Sequence, residues 1–423
     1  MIKKSFFSRT VIAVVRRSSL AAALAIVGAG AASAQADWPA FLGPGGNGVS
    51  IEASVPLEFV PAADGKTQKN IAWRTPLEGR SVSGPIVVGD KVITTSSSGM
   101  EGRWLHVAAV DANSGKIVWE RTSKATGRPY CHPTSANAAP TPCTDGQRVF
   151  AFFSSNDLVC YDLNGNLQWY RGLSYDHPQA GNDVGMSSSP LVVGNTVIVM
   201  IDCQADSFAA GIDAATGETK WEIPRPHKAN WSSPRLVEAA DGSKAVVLHG
   251  LDNLVAIDPA TGNELWKMDI NCSSVATAVF TKGKLHVPAG GTKTYEFATA
   301  KQPPKLLWET TRISPSSSSL VVTDIGVLGL NRSVLVCCDD KGEMKWQARL
   351  PDAGQFWSTP VVAGQHLYAF AMNGKVFTVQ LSDTSGDVVA TSELGEDVLG
   401  SPAIHGNAIF VRSVGGLLKL AKD

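Results

Sequence analysis

From Asn70 to the C-terminus the chain is written in short apolar runs such as Ile86-Val87-Val88, broken every few residues by Gly, Asn, Asp, Ser or Pro. No apolar stripe keeps a helical period over that length. Short runs bounded by turn formers predict strands and hairpins, and strands recurring at one spacing predict a repeat architecture. The spacing is marked by Trp73, Trp119, Trp169, Trp221, Trp266, Trp308 and Trp346. These recur at intervals of about 45 residues, the length of one four-stranded propeller blade.

Each tryptophan closes a similar phrase. The run A-V-D-A-N-S-G-K-I-V-W from Ala109 to Trp119 returns from Gly211 to Trp221 and from Ala256 to Trp266. Asp111, Asp213 and Asp258 end one strand, where a carboxylate can bond the turn backbone. Gly115, Gly217 and Gly262 supply the positive φ that reverses the chain. The Trp then falls in an outer strand, where its flat ring can wedge between blades. Shorter forms precede Trp169 and Trp346, and a degenerate form without Trp runs from Leu381 to Val389.

A second phrase opens each unit: Ser83-Gly84-Pro85, Ala138-Ala139-Pro140, Ser188-Ser189-Pro190, Ser232-Ser233-Pro234, Ser358-Thr359-Pro360 and Gly400-Ser401-Pro402. Versions without Pro stand at Ala276-Thr277-Ala278 and Ser317-Ser318-Ser319. Small residues suit inner strands converging on an axis, and Pro is tolerated at a strand's first residue. Eight openings need eight outer strands, namely the seven at the tryptophans and one at Val388-Val389. The last opening has no outer strand after it, while Asn70 to Pro76 is an outer strand with nothing before it. The expected fold is therefore an all-β, eight-bladed β-propeller of four-stranded antiparallel blades over residues 70–423, with the N-terminal strand completing the last blade. Such a join removes an exposed sheet edge.

The phrase A-x-D-x-x-[ST]-G-x-x-x-W, with its S-x-P openings, resembles the PQQ-like (pyrroloquinoline quinone-like) repeat family from about Trp73 onward. Trp38 to Gly48, reading WPAFLGPGGNG, also looks like an opening found on exported members of unassigned function. The resemblance implies the propeller fold and two functions of different class. One is a calcium- and PQQ-dependent alcohol or sugar dehydrogenase; the other is a cofactor-free scaffold, like the propeller lipoprotein of the bacterial barrel-assembly machinery. A fold shared by enzymes and scaffolds does not choose between them. The dehydrogenase implication calls for a calcium-bound quinone at the axis, an Asp base and aromatic planes. Those enzymes also carry a vicinal disulfide against the cofactor, which invites comparison with Cys337-Cys338. That pair lies in the strand-like run Val334 to Asp339, where alternating residues read as packing. The chain is shorter than those enzymes and shows no match to their calcium-ligand motif. We therefore expect a binding or protein-interaction scaffold with no cofactor, PQQ with calcium entering by resemblance only.

The N-terminus changes the compartment. Lys3, Lys4, Arg9, Arg16 and Arg17 precede an Ala-rich apolar run, and Ala32-Ser33-Ala34 gives the small-x-small pattern of a cleavage site. Residues 1–34 read as a signal peptide, of Sec type rather than twin-arginine, and residues 35–69 as a lead-in segment. Export to the periplasm or outside the cell follows. Without residues 1–34 the balance is 32 basic against 38 acidic residues, a formal −6. A mildly acidic chain lacks the basic footprint of a nucleic-acid or anionic-membrane partner, so a protein or peptide is the expected partner. Seven cysteines are too few for a disulfide scaffold; Cys131 with Cys143 is the first candidate pair in an oxidising compartment.

Candidate chemistry sits in the loops from each outer strand to the next inner one, which gather at one channel mouth. Tyr130 and His132 lie in the first long loop, Asp176, His177 and Asp183 in the second, and His227 in the third. A polar or metal-binding pocket built from these is one reading, although their irregular spacing matches no compact ligand motif, and turn capping is the other. Trp231 and Trp357 stand just before strand openings, where an aromatic ring could meet a peptide. No phosphate loop, H-E-x-x-H or G-x-S-x-G occurs, so nucleotide chemistry and nucleophilic hydrolysis have no support.

Overall fold

The computed structural model describes residues 36–62 and 67–423; the signal peptide assigned to residues 1–34 lies outside them. Eight antiparallel sheets follow one another, numbered here as blades I to VIII in the order of their innermost strands. Those strands begin at Ile86, Cys143, Leu191, Arg235, Val279, Val321, Val361 and Ala403. Blade I runs outward through Ile86–Val88, Lys91–Ser98, Trp104–Asp111 and Ile117–Lys124. In blade VIII the strands Ala403–His405, Ala408–Arg412 and Gly416–Leu420 are completed by Ile71–Pro76. The expected N-terminal closure is thus present, with Trp73 opposite Lys419.

The repeated phrase has a direct physical meaning. The tryptophan of one blade lies against the turn glycine of the next: a Cβ on Gly115, Gly165, Gly217, Gly262 or Gly342 would stand 2.6–2.7 Å from the ring of Trp73, Trp119, Trp169, Trp221 or Trp308. These glycines also hold φ between 72° and 83°, so any other residue would be both strained and blocked. Most of the indoles are pinned as well. Nε1 of Trp119 donates to Leu163 O at 3.0 Å, that of Trp169 to Ala214 O at 3.1 Å and that of Trp221 to Pro259 O at 3.1 Å. Asp111 Oδ1 accepts the amide and hydroxyl of Ser114 at 2.7 and 2.6 Å, which closes the turn. The core is accordingly a series of layers between blades: one joins Ile86 and Trp119 to Val149 and Tyr161, another Val247 and Trp266 to Leu285 and Phe297.

Two features go beyond the repeat. Blade VII gains a short fifth strand, Val49–Ser50, parallel to its innermost strand, and therefore lying inside the channel. Blade VII also places Ala390 opposite Thr378, the position that carries Trp elsewhere. Blade VIII has no hairpin glycine to receive a Trp there, because its third and fourth strands come from opposite ends of the chain. Phe59, 1% exposed, fills the layer instead, packed with Tyr368 and Phe410. Its amide bonds Ser392 Oγ at 2.8 Å, while Tyr368 and Thr378 hydroxyls hold Val55 O and Leu57 O.

One strand opening is corrected. The inner strand of blade II begins at Cys143, directly after Thr141-Pro142, rather than after the expected Ala138-Ala139-Pro140; Ala138 and Ala139 belong to the preceding loop. Prolines two residues apart, at 140 and 142, made two registers look alike. All seven cysteines are free, Cys143 and Cys131 included. Cys337 and Cys338 are buried on opposite faces of blade VI, one in each neighbouring layer, and burial pushes their thiols up to about 12 and about 11.

Candidate functional site: the axial funnel

Two residues before each inner strand, the chain passes the axis with a small side chain: Gly84, Thr141, Ser189, Ser233, Thr277, Ser319, Thr359 and Ser401. Each of these is linked to the next around the ring. The amide of Gly84 donates to Thr141 Oγ1 at 3.0 Å, Thr141 to Ser189 Oγ at 3.0 Å, Ser189 to Ser233 Oγ at 2.9 Å and Ser233 to Thr277 Oγ1 at 3.0 Å. Thr277 continues to Ser319 Oγ at 3.0 Å, Ser319 to Thr359 Oγ1 at 2.9 Å and Thr359 to Ser401 Oγ at 2.9 Å. The eighth link is missing because Gly84 offers no hydroxyl to Ser401. There the backbones touch instead: a Cβ on Gly84 would lie 2.3 Å from Ser401 O, and one on Gly400 2.0 Å from Ser83 O. A buried hydroxyl that satisfies a neighbouring amide explains why Ser and Thr, rather than Ala, recur at these openings.

The ring encircles a cavity of about 440 Å3, open on the face that carries the long inter-blade loops. Val82, Met186, Val275 and Leu399 make its walls apolar, and Trp231, Trp357 and His132 stand among its lining residues. Among the described residues no Asp, Glu, Lys or Arg lines it. Its floor includes Phe41, from the lead-in. Residues 36–50 cross the far end of the channel and close it. Trp38 bonds Val87 of blade I through both backbone groups at 2.9 and 3.0 Å, Thr144 of blade II donates to Pro39 O, and Val362 of blade VII to Gly48 O. Leu42 packs with Val279 and Leu320 of blades V and VI. Gly46 lies under Arg235 of blade IV so closely that a Cβ would reach 1.8 Å from its Nη1.

Arg235 is 7% exposed, its Nε has no partner, and it forms no ion pair among the described residues. Desolvation lowers its pKa to about 10. The contrast with Arg225 is plain: that guanidinium, equally buried, grips Asp202 at 2.9 and 3.0 Å and anchors the third loop together with Asn230.

Of the residues selected from sequence, His132, Trp231 and Trp357 reach the funnel. Trp231 is held by Nε1 on Gly185 O at 2.8 Å, and His132 Nδ1 pairs with Thr134 Oγ1 at 2.7 Å. The others face elsewhere. Tyr130 is exposed beneath Arg128, which also pairs with Asp183 at 3.3 Å. Asp176 pairs with Arg171 at 3.0 Å; His177 stacks on Phe208 at 3.8 Å and meets Glu222 at 2.9 Å; His227 is exposed. No group of three or more His, Cys, Asp or Glu that could share a metal occurs among the described residues. The hydroxyl ring, Phe41 and Arg235 were not singled out; the only signal for the ring was the Ser or Thr before the strand, legible as small but not as linked.

The family model described as outer membrane protein assembly factor BamB matches residues 61–221 and 205–421. A polyvinylalcohol dehydrogenase of Sphingopyxis sp. (strain 113P3) is 24% identical over 257 residues, 51% of this chain and 38% of the relative. The outer membrane protein assembly factor BamB of Moranella endobia (strain PCIT) is 27% identical over 186 residues, 43% of this chain and 42% of the relative. Both matches thus span less than half of the relative's length. Among solved structures, BamB from Moraxella catarrhalis superposes with a TM-score of 0.61 at 16% identity, covering 82% of this chain and 96% of that one. The quinohemoprotein alcohol dehydrogenase from Comamonas testosteroni gives 0.66 at 12% identity, covering 90% and 80%. At such identities the superpositions speak for the fold.

Proposed function

The chain belongs to the PQQ-like repeat family of the BamB type, and from that premise we propose that it is an exported propeller, periplasmic or extracellular, that binds a protein or peptide on its funnel face. The carrying observation is the chemistry of that face. Trp357 is exposed in the lining of an uncharged funnel, and Trp104, Tyr130 and Tyr175 are exposed outside it; Trp, Tyr and Arg supply most anchors of protein interfaces. The name of the Moranella endobia relative, outer membrane protein assembly factor BamB, supports a polypeptide partner.

A quinone-dependent oxidoreductase is the second reading, supported by the dehydrogenases among the relatives. The residues present do not fit its cofactor. Calcium takes six to eight oxygen ligands, carboxylates prominent among them, and no carboxylate lines the funnel among the described residues to hold it or to act as base.

Cross-linking capture from envelope extracts tests the proposal, with Trp104→Ala, Tyr130→Ala and Trp357→Ala combined in one variant. The wild type is expected to retain a polypeptide partner that the variant loses. Addition of PQQ with calcium is expected to give no dye reduction with alcohols or sugars; turnover would overturn the proposal.

A further inference from the structure

Resting on the reading that this face binds a polypeptide, we infer that the funnel is a receptor for a carboxylate, namely the C-terminal carboxylate of a chain whose last side chain is apolar. Each of the ring's seven hydroxyl oxygens already accepts the amide of the preceding blade, and none donates its own proton to a protein acceptor among the described residues. All seven line the cavity. Thr277, Ser319 and Thr359 are at most 2% exposed, so a surplus O–H donor that lines the cavity without a protein acceptor is available to an occupant of the axis. A ring of donors asks for an acceptor.

Arg235 adds the sign. It is not among the residues that line the cavity: it lies two residues beyond the ring member Ser233 on an extended strand, about 7 Å along the chain, against Gly46 of the closing segment, and its buried guanidinium lacks a counter-ion among the described residues. An unpaired buried cation makes an anion welcome nearby, because the low-dielectric surroundings screen it weakly. No carboxylate lines the funnel to oppose it. The walls define the rest of the ligand: Val82, Met186, Val275, Leu399 and the ring of Trp357 offer contact to an apolar body. A volume of about 440 Å3 lies within the ~300–1,000 Å3 of pockets that bury small ligands. A chain end combines these demands, with two oxygens for the ring and one apolar side chain for the walls.

The end group itself provides the test. A hexapeptide ending in Leu-Phe is titrated calorimetrically into the full protein as the free acid and as the C-terminal amide, with 3-phenylpropanoate as an arm for a free aromatic acid. Charge-assisted hydrogen bonds are roughly twice as strong as neutral ones, so the acid is expected to bind at least about tenfold tighter than the amide. The peptide acid is expected to bind tighter than 3-phenylpropanoate. Arg235→Met is expected to weaken the acid and leave the amide unchanged; Thr359→Val, which keeps the shape and removes one donor, is expected to weaken the acid without moving the plug. Equal affinity for acid and amide, or no binding of either acid at millimolar concentration, overturns the inference. Equal affinity for 3-phenylpropanoate and the peptide acid overturns the assignment to a chain end. If these fail while the aromatic triple variant still loses its captured partner, the interaction reading stands and the carboxylate alone falls.

Discussion

The two ends of the axial channel are built on opposite plans. One end is made by the repeat itself: eight strand openings contribute eight equivalent positions, and seven of them carry a linked hydroxyl. The other end is made by residues 36–50, which repeat nothing and touch the inner strands of blades on all sides. The difference teaches that rotational repetition makes a rim but cannot make a floor. A point on the axis has no equivalent partners, so it must be filled by a unique segment. Here that segment converts an open pore into a cup with one mouth.

Breaking the closed end has the largest expected effect. Trp38 is 2% exposed and lies so close to Gly43 that a Cβ there would stand 2.7 Å from its ring. Trp38→Ala is expected to cost ~3–5 kcal/mol, read as a lower urea midpoint at unchanged slope, and a stability within error of wild type would show the floor to be dispensable. At the mouth, Gly400→Ala presses a methyl against Ser83 O and is expected to cost ~1–3 kcal/mol. Ser233→Ala removes one link of the ring and leaves the Ser189 amide facing the open cavity. Channel water can replace the hydroxyl, so ~1 kcal/mol is expected.

The smallest effect is acid sensitivity at the hairpin turns of the closed end. The Ser114 hydroxyl, followed by its amide, holds the Asp111 carboxyl below the usual range, and the Asn166 side chain does the same for Asp162. A carboxyl depressed in the folded state stabilises above its unfolded value of about 3.9 and loses that contribution as pH falls. Both turns are exposed, so only a shallow decline of the urea midpoint is expected below about pH 4. Asp111→Asn with Asp162→Asn should flatten it, and an unchanged slope would assign the decline elsewhere.

The repeat was legible because its cause is local and periodic. Trp119 and Gly165 stand about one blade apart and meet because every blade is rotated by the same step, so the phrase announces both the hairpin and its neighbour. The closing strand Ile71–Pro76 followed from counting. The floor was not legible, since WPAFLGPGGNG has no second copy against which to read its place. The site was half legible. His132, Trp231 and Trp357 sit beside strand openings and inherit their position from the repeat, whereas Asp176, His177 and His227 lie within long loops. Their direction is set by local partners such as Arg171 and Glu222, which no periodicity encodes. The hydroxyl ring shows a third case: the residues were seen and their size understood, but each partner stands in the next blade, 40 to 57 residues away.

Blade VIII brings the irregularities together. It is stitched from the two ends of the chain, it meets blade VII through Phe59 rather than through an indole on a glycine, and it meets blade I across the one gap in the hydroxyl ring. In an arch, the stone set last is the keystone, shaped unlike the others and carrying their thrust. Blade VIII holds that place in the circle: one of its joints is made by Phe59 in place of an indole on a glycine, and the other keeps Trp73 on Gly115 but lacks the hydroxyl link.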